Sequence, residues 1–368
     1  MASLLVTGGA GFIGANFVRY WRDRHESDTV IVLDAFTYAG NHANLDGVDA
    51  INVVEGDIRD TGLVTALLTD HAVDTIVHFA AESHVDRSID GPDAFIDTNV
   101  VGTHSLLKAA KVSWLDRGSG RPHRFHHIST DEVYGSLGPE DPAFCETTPY
   151  APNSPYSASK AASDHLVRAY HHTFGLQVTT SNCSNNYGPY QFPEKLIPLF
   201  IINCLTGRPL PIYGDGMNVR DWLHVEDHCH GIGLVLERGK VGETYNIGGG
   251  AELANVEVID AICAGVDAAF AGDPQLSRRF PDAPAASGKG CAMLKTHIVD
   301  RLGHDRRYAI DERKARSQLG YAPARGFTQG LAATLGWYLA NEAWWRAVMD
   351  GSYRDWIDRN YGGRAVPA

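Results

Sequence analysis

The chain has 368 residues, of which 44% are hydrophobic, and its formal net charge is −12. This length suggests two domains, or one large domain with an added unit. The acidic balance disfavours a general nucleic-acid-binding protein, which normally presents a basic face. The apolar runs are too short for a membrane span or a secretion signal, and the six cysteines form no CxxC pair. We therefore expect a cytoplasmic protein that binds neither nucleic acid nor membrane.

Strand-like and helix-like segments alternate through the first half of the chain. The strand-like runs are short and apolar, and segments with a helical repeat separate them. This order is typical of a parallel sheet with helices on both faces, which binds ligands at the carboxyl ends of its strands. We predict an α/β fold with a Rossmann-type, doubly wound parallel sheet. Strands are predicted at 4–7, 30–34, 51–55, 75–79, 125–128 and 177–183, and helices at 14–24, 61–71, within 94–115 and at 156–174.

The second half is less regular and predicts a smaller mixed unit. The segment 185–193, rich in Asn, Gly, Pro and Tyr, is predicted as a loop. The segment 273–295, with Pro, Ala, Ser and Gly, is predicted as a flexible loop, and 362–368 as a disordered tail. Helical patterns recur near 194–205, 225–237, 256–269, 312–319 and 331–349.

The loop after the first predicted strand carries a dinucleotide-binding pattern, TGGAGFIG at 7–14. Gly8, Gly11 and Gly14 permit a tight turn, close approach of the backbone to a pyrophosphate, and close helix packing. The pattern follows a strand and opens a helix, which is the context it requires. Asp34 ends the second strand, where a carboxylate binds a ribose 2′-hydroxyl and repels a 2′-phosphate, so the predicted cofactor is NAD.

Two further features each have a structural and a functional interpretation. Asp57 follows the third predicted strand, and its carboxylate either reaches the adenine of the dinucleotide or caps the next helix. His224, His228 and His230 suggest a metal site, but only the first two share a helical face. No acidic or cysteine set completes the coordination, so no metal is predicted.

The stretch from 129 to 160 carries the candidate chemistry. Tyr156 and Lys160 lie four residues apart at the start of a predicted helix, so their side chains share one face. An ammonium beside a phenol lowers the pKa of the phenol, which makes Tyr156 a candidate base for the oxidation of an alcohol. The adjacent carboxylates Asp131 and Glu132 can meet one substrate only if the preceding strand ends there in a turn.

Several motifs together resemble the extended short-chain dehydrogenases/reductases. These are the glycine pattern at 7–14, the region of Asp34, and Tyr156-x-x-x-Lys160. Longer runs are similar to the dTDP-glucose 4,6-dehydratases within that group, and the resemblance spans about 4–353. The longer runs are AAESHVDRSI at 80–89, STDEVYG at 129–135, NCSNNYGP at 182–189 and PEKLIP at 193–198.

The resemblance implies which residues bind the ligands. The implied cofactor-binding residues are Gly8, Gly11, Phe12, Ile13, Gly14, Asp34, Ala35, Phe36, Thr37, Asp57, Ile58, Phe79, Ala80, Ala81, Glu82, Ser83, Thr98, Tyr156, Lys160 and Asn186. The implied substrate-binding residues are Ser83, Thr130, Asn185, Glu194, Lys195, Leu196, Pro211, Ile212, Tyr213, Arg220, Asn255, Asp300, Arg301, Leu302, Gly303 and His304. Leu302 stands where the family has a proline. Four of these side chains supply the local cations that a diphosphate requires in an acidic protein, namely Lys195, Arg220, Arg301 and His304.

The resemblance also implies an NAD-dependent lyase that converts dTDP-glucose to dTDP-4-keto-6-deoxyglucose. Tyr156, assisted by Lys160 and Thr130, accepts the proton of the sugar's 4-hydroxyl as hydride leaves carbon 4. Glu132 then removes the proton on carbon 5, and Asp131 protonates the departing 6-hydroxyl. Return of the hydride to carbon 6 completes the reaction.

The implied organisation is a homodimer of two-domain subunits. An NAD-binding domain covers 1–183 with returning segments near 221–247, and 184–361 forms mainly the sugar-nucleotide-binding domain. The subunits are expected to meet through helices near 94–111 and 156–174. Two alternatives remain. A related NAD-dependent sugar-nucleotide epimerase or decarboxylase has no use for the acid pair, and a silent NAD-binding regulatory protein has no use for the complete catalytic set.

Overall fold

A seven-stranded parallel sheet forms the centre of the larger part of the molecule. The structure, a computed structural model, describes residues 2–118, 122–349 and 360. Its strands are β1 (Ser3–Thr7), β2 (Thr29–Asp34), β3 (Ile51–Glu55), β4 (Thr75–His78), β5 (Arg124–Thr130), β6 (Val178–Cys183), β7 (Asn185–Tyr187), β8 (Leu210–Tyr213), β9 (Val219–His224), β10 (Thr244–Ile247), β11 (Glu252–Ala254) and β12 (Lys295–Ile298). The large sheet has the order β10-β6-β5-β4-β1-β2-β3 with every neighbouring pair parallel, so the predicted Rossmann-type sheet is confirmed.

Helices cover both faces of this sheet. The helices are α1 (Phe12–Arg24), α2 (Thr61–Asp70), α3 (Val85–Asp90), α4 (Asp93–Phe95), α5 (Thr103–Ala110), α6 (Pro155–Phe174), α7 (Leu196–Thr206), α8 (Val225–Arg238), α9 (Asn255–Gly272), α10 (Gln275–Arg279), α11 (Arg313–Leu319), α12 (Phe327–Ala340) and α13 (Glu342–Val348). Side chains alternate between the faces along a strand. Val6 on β1 packs with Phe17 and Ile232 of α1 and α8, whereas Leu5 packs with Leu106 of α5 on the other face. Both faces of the sheet are therefore hydrophobic core.

Local sequence signals fix the start and end of α6. Ser154 forms a capping box with Ser157, and Pro155 occupies the first turn. Gly175 ends the helix in the left-handed conformation, with φ of 77°. These signals place Tyr156 in the first turn of α6, facing the carboxyl end of the neighbouring β5.

A smaller unit packs beside the carboxyl ends of the large sheet. It contains a three-stranded sheet of order β11-β9-β7 and the pair β12-β8. Its core joins side chains that are distant in sequence, among them Ile201 of α7, Val258 of α9 and Tyr338 of α12. The aromatic rings of Trp337, Tyr338 and Trp344 contact one another within this unit, where α12 meets α13.

Several predicted elements need correction. The predicted loop 185–193 begins with β7, which pairs with β9. The predicted flexible loop 273–295 is wrong, because it contains α10 and two short 3₁₀ turns and buries Phe280 and Cys291 in the smaller core. The long helix within 94–115 is built from α4, α5 and two π-helical segments, Ile96–Gly102 and Lys111–Asp116. The predicted helix 331–349 is divided between α12 and α13.

The domain boundaries stay predictions. Two of the predicted returning elements lie with the large sheet, since β10 pairs with β6 and α8 packs on α1. The predicted tail at 362–368 lies outside the described residues. Within the described residues, none of the helices has the length and apolar character needed to cross a bilayer.

Candidate functional site

A cavity of about 480 Å³ lies between the carboxyl ends of the large sheet and the smaller unit. This is the position at which doubly wound sheets bind ligands. The predicted residues that line the cavity are Gly8, Gly11, Phe12, Ile13, Gly14, Asp34, Ala35, Thr37, Asp57, Ile58, Phe79, Ala80, Ala81, Glu82, Ser83, Thr98, Thr130, Asp131, Glu132, Tyr156, Lys160, Asn185, Asn186, Glu194, Lys195, Leu196, Pro211, Ile212, Tyr213, Arg220, Asn255, Arg301 and His304. Four predicted residues in the described chain lie outside this lining, namely Phe36, Asp300, Leu302 and Gly303. The side chain of Leu302 is 77% exposed.

The glycine loop forms a cradle that only glycine permits. Gly8 has φ of +68°, and a Cβ on Gly8 would lie 2.6 Å from the backbone nitrogen of Ala80. A Cβ on Gly14 would lie 2.2 Å from the carbonyl oxygen of Gly8. Asp34 accepts hydrogen bonds from the backbone N–H groups of Ala10 and Phe36, both at 2.9 Å. Asp34 therefore holds the loop in place and still presents carboxylate lone pairs at the cavity. This arrangement fits a dinucleotide.

Gly14→Ala is expected to abolish NAD binding. The new methyl group would overlap the Gly8 carbonyl and force the loop open, so the backbone could no longer approach a pyrophosphate. The measurement is the NAD content of the purified protein, with calorimetric titration of NAD. Gly336→Ala on α12 is the matched control, because a Cβ there meets no atom within 4 Å and alanine favours helix. Equal NAD binding by Gly14→Ala and Gly336→Ala would contradict the cradle.

Asp57 lies at the cavity but does not cap a helix. Its carboxylate accepts from Arg59 Nη2 at 2.6 Å and Nε at 2.9 Å, and this hydrogen-bonded guanidinium lowers the pKa of Asp57. The cap of α2 is Asp60, which accepts from the N–H of Leu63 at 2.9 Å. The capping interpretation of Asp57 is therefore wrong, and its contact with adenine stays a prediction.

Tyr156 and Lys160 share one buried face of α6 and line the cavity, but their electrostatics differ from expectation. Lys160 Nζ donates to the carbonyl oxygen of Ile128 at 2.8 Å, and burial lowers the pKa of its ammonium. Burial, followed by the nearby Glu132 carboxylate, raises the pKa of Tyr156 well above its usual range. The prediction of a lowered pKa for Tyr156 is therefore wrong, because burial and the Glu132 charge raise it.

The acid pair sits on a 3₁₀ turn at the end of β5. Thr130 caps this turn by accepting a hydrogen bond from the N–H of Glu132, and the turn ends at Gly135, which has φ of 97°. The chain bends directly after the strand, so Asp131 and Glu132 both reach the cavity. The turn that the sequence required for this juxtaposition is present.

Asp131 and Glu132 lie in different electrostatic environments. Asp131 is 1% exposed, and its Oδ2 atom has no hydrogen-bond partner among the residues that the structure describes. Burial raises the pKa of Asp131 well above the usual range, assisted by the charge of Glu132. Burial also raises the pKa of Glu132, but Arg301, Lys195 and Arg220 oppose that shift. Asp131 therefore tends to stay protonated, while nearby cations favour an ionised Glu132.

The cations gather at one end of the cavity. Lys195 Nζ donates to the carbonyl oxygen of Ser83 at 2.9 Å. Arg220 lies 4.2 Å above the ring of Tyr308 and donates to the carbonyl of Asp305 at 2.9 Å. His304 was predicted as a fourth cation, but this prediction is wrong, because burial lowers its pKa to about 4 and leaves the imidazole neutral near pH 7. Its Nδ1 atom lies 2.6 Å from Asp300 Oδ1. An overall acidic chain thus presents a local positive region suited to a diphosphate.

The three histidines of the suggested metal site have separate partners. His224 caps α8 by accepting from the N–H of Glu226. His228 bonds Asn186 at 2.9 Å, and His230 lies 3.3 Å from the hydroxyl of Tyr20. The described ranges contain no group of three or more His, Cys, Asp or Glu side chains arranged to hold a metal.

Sequence reasoning missed part of the cavity wall. Cys183 and Ser184 line it at the carboxyl end of β6, and the rule for strand ends could have identified them. Gln191, Phe192 and Trp222 also line it. These three reach the cavity through packing of the smaller unit, and no local sequence signal marks them.

The sheet, its glycine loop and the Tyr–Lys pair define an extended short-chain dehydrogenase/reductase. The model of the GDP-mannose 4,6 dehydratase family matches residues 5–334. A dTDP-glucose 4,6-dehydratase of Xanthomonas campestris pv. campestris (strain B100) is 57% identical, covering 96% of this chain and 98% of the relative. The chain belongs to the dTDP-glucose 4,6-dehydratase family. A further member from Salmonella typhimurium is 49% identical, covering 98% of this chain and 99% of its own.

Solved structures give the same picture. The dTDP-glucose 4,6-dehydratase DesIV of Streptomyces venezuelae, a crystal structure with NAD bound, superimposes with a TM-score of 0.83 at 48% identity. The match covers 94% of this chain and 99% of DesIV. A UDP-glucose 4-epimerase of Thermotoga maritima superimposes with a TM-score of 0.79 at 25% identity, covering 92% and 99%. The fold is thus shared across the wider group of dehydratases and epimerases.

Proposed function

We propose that this protein is an NAD-dependent hydro-lyase that converts dTDP-glucose to dTDP-4-keto-6-deoxyglucose. The carrying observation is that two adjacent carboxyl groups with different environments share one cavity with Tyr156. An epimerase requires no such pair. The high identity to dTDP-glucose 4,6-dehydratases over nearly the whole chain supports the same reaction and substrate.

NAD fits the glycine cradle and the carboxylate of Asp34. The backbone of Gly8, Gly11 and Gly14 would hold the pyrophosphate, and Asp34 would bind the ribose hydroxyls. The chemistry that NAD supplies when bound is reversible hydride acceptance, with carbon 4 as source and carbon 6 as destination, and the positive charge of its oxidised ring. A positive charge beside the phenol would oppose the burial that raises the pKa of Tyr156.

Tyr156 begins the reaction by accepting the proton of the sugar's 4-hydroxyl on its phenol oxygen. A hydrogen bond with Thr130 lowers the pKa of this phenol, although burial dominates. Thr130 thereby helps to hold the reacting oxygen. The product of this step is a 4-ketone, which acidifies the proton on carbon 5.

Glu132 and Asp131 then remove water across carbons 5 and 6. Glu132 takes the proton from carbon 5 as the base, and the double bond forms as the bond from carbon 6 to oxygen breaks. Asp131 donates its proton to the departing hydroxyl, which leaves as water. Environments that push the pKa values of two neighbouring groups apart are the usual basis for such separate roles. Reprotonation of carbon 5 completes the product.

The positive end of the cavity would bind the diphosphate of the substrate. Arg220, Arg301 and Lys195 lie there, and the same three cations favour ionised Glu132. Substrate recognition and base activation would thus depend on one set of charges.

The homodimer is also proposed. Ile96 and Val101 are each 47% exposed on the predicted contact helices, and Phe174 is 45% exposed at the end of α6. Large exposed apolar side chains on such a surface favour a protein contact. Sedimentation velocity at low and high protein concentration tests this proposal, and a monomer at both would refute it.

The six cysteines lie in the described chain as free thiols, in keeping with a cytoplasmic location.

Incubation with dTDP-glucose deuterated at carbon 4 tests the function. The expected product carries the deuterium at carbon 6 of the same molecule, detected by mass spectrometry and NMR. A mixture of labelled and unlabelled substrate separates transfer within one molecule from transfer between molecules. Retention of deuterium at carbon 4 with an inverted centre would indicate an epimerase, and absence of any turnover would indicate a silent binding protein.

A further inference from the structure

Asp164 is a buried carboxylate that the proposed reaction does not use. It lies on α6 one turn after Lys160 and two turns after Tyr156, on the same face of the helix. Asp164 is 6% exposed and is not one of the residues that line the cavity. An ionisable group is rarely buried unless its partners compensate the lost hydration.

The partners of Asp164 lie mainly on β5. Oδ2 accepts from the hydroxyl of Ser129 at 2.8 Å, and Oδ1 lies 3.0 Å from Nε2 of His127. Ser129 and His127 are 3% and 0% exposed, so these contacts exclude water. Ser129 directly precedes Thr130 and the acid pair. One carboxylate therefore joins the helix that bears the oxidation residues to the strand end that bears the elimination residues.

Lys160 adds an electrostatic connection. It is 5% exposed, its Nζ atom donates to the carbonyl of Ile128, and burial lowers the pKa of its ammonium. The negative charge of Asp164 is the largest influence that raises this pKa again. Burial raises the pKa of Asp164 itself to about 6, and Lys160 leads the influences that oppose it. Lys160 and Asp164 therefore each favour the ionised form of the other, although their side chains are not in direct contact.

We propose that Asp164 is a positioning residue, which fastens the end of β5 to α6 and places a buried negative charge near the ammonium of Lys160. The inference rests on the proposed function, because its main readout is turnover of dTDP-glucose. The titratable and polar groups that face Asp164 from the surrounding elements are His127 and Ser129 of β5, Tyr134 of the following turn, Tyr150 before α6, and Lys160 and His165 of α6.

Asp164→Asn removes the charge and keeps the shape. Reduction of bound NAD after mixing with dTDP-glucose, followed by stopped-flow absorbance, is expected to slow by about tenfold or more. The pH above which this rate falls should be lower than in the wild type, because loss of the negative charge lowers the pKa of Lys160. Asp70→Asn is the matched control, since it makes the same change at an exposed aspartate at the end of α2. It should keep the wild-type pH profile.

Ser129→Ala separates the link from the charge. It removes one of the two contacts between Asp164 and β5, the one next to the acid pair, but leaves the Asp164 carboxylate. Elimination should therefore slow, while the pH above which the oxidation rate falls should stay unchanged. Thermal unfolding of each variant shows whether it is folded, and Ser129→Ala decides the proposal if Asp164→Asn does not fold. Wild-type rates and pH profile in Asp164→Asn, or wild-type elimination in Ser129→Ala, would overturn the role. Absence of turnover in the wild-type protein would instead overturn the proposed function.

Discussion

Glu132→Gln is expected to reduce its bound NAD when mixed with dTDP-glucose, but to eliminate water at least about 10²-fold more slowly than wild type. Glutamine matches the size of glutamate but cannot accept the proton from carbon 5. The oxidation step uses Tyr156 and should survive. Removal of the Glu132 charge also removes one influence that raises the pKa of Tyr156, so oxidation should not slow. Stopped-flow absorbance of NADH and rapid-quench analysis of the sugar measure the two steps separately.

The accumulation of NADH is the distinctive result in Glu132→Gln. Glu140→Gln is a suitable control, because Glu140 is an exposed glutamate in the loop after the same turn. It should turn over at the wild-type rate without accumulated NADH. Elimination by Glu132→Gln at the wild-type rate would show that another group is the base at carbon 5.

Much of the large sheet was predictable because its signals are local. Each strand is a short apolar run, and the glycine loop and Ser154-Pro155 mark helix starts within a few residues. The smaller unit was less predictable. The segment 273–295 looks like a flexible loop by composition, but Phe280 and Cys291 are buried against α7 and α9, which are distant in sequence. The short β7 likewise exists only through its pairing with β9.

The identity of the site residues was predictable, and their electrostatics were not. The motif spacing predicted that Tyr156 and Lys160 lie at the start of a helix and that the acid pair follows a strand. Whether the pKa of a side chain is raised or lowered depends on its burial and on neighbours from other elements. Lys160 illustrates this, because its ammonium bonds a β5 carbonyl that no helical spacing indicates. Asp164 was overlooked for the same reason.

Tyr156→Phe is expected to fold and bind NAD but to lose the reduction of bound NAD by about 10²–10⁴-fold. The ring itself packs with Val85 and Phe95, and phenylalanine keeps those contacts. Only the hydroxyl that accepts the substrate proton is removed. The measurement is the amplitude and rate of NADH formation after mixing with dTDP-glucose, beside the NAD content of the purified variant.

The pH dependence makes the test of Tyr156 specific. The base is the phenolate, and burial raises the pKa of this phenol, so the wild-type oxidation rate should increase with pH until the phenol is ionised. Any residual rate in Tyr156→Phe should lack this increase. Tyr170→Phe on the same helix is the matched control, since Tyr170 is also buried but lies among side chains of the hydrophobic core away from the cavity. A wild-type pH profile in Tyr156→Phe would assign the base to another residue, and the oxidation would then have to be explained without the Tyr–Lys pair.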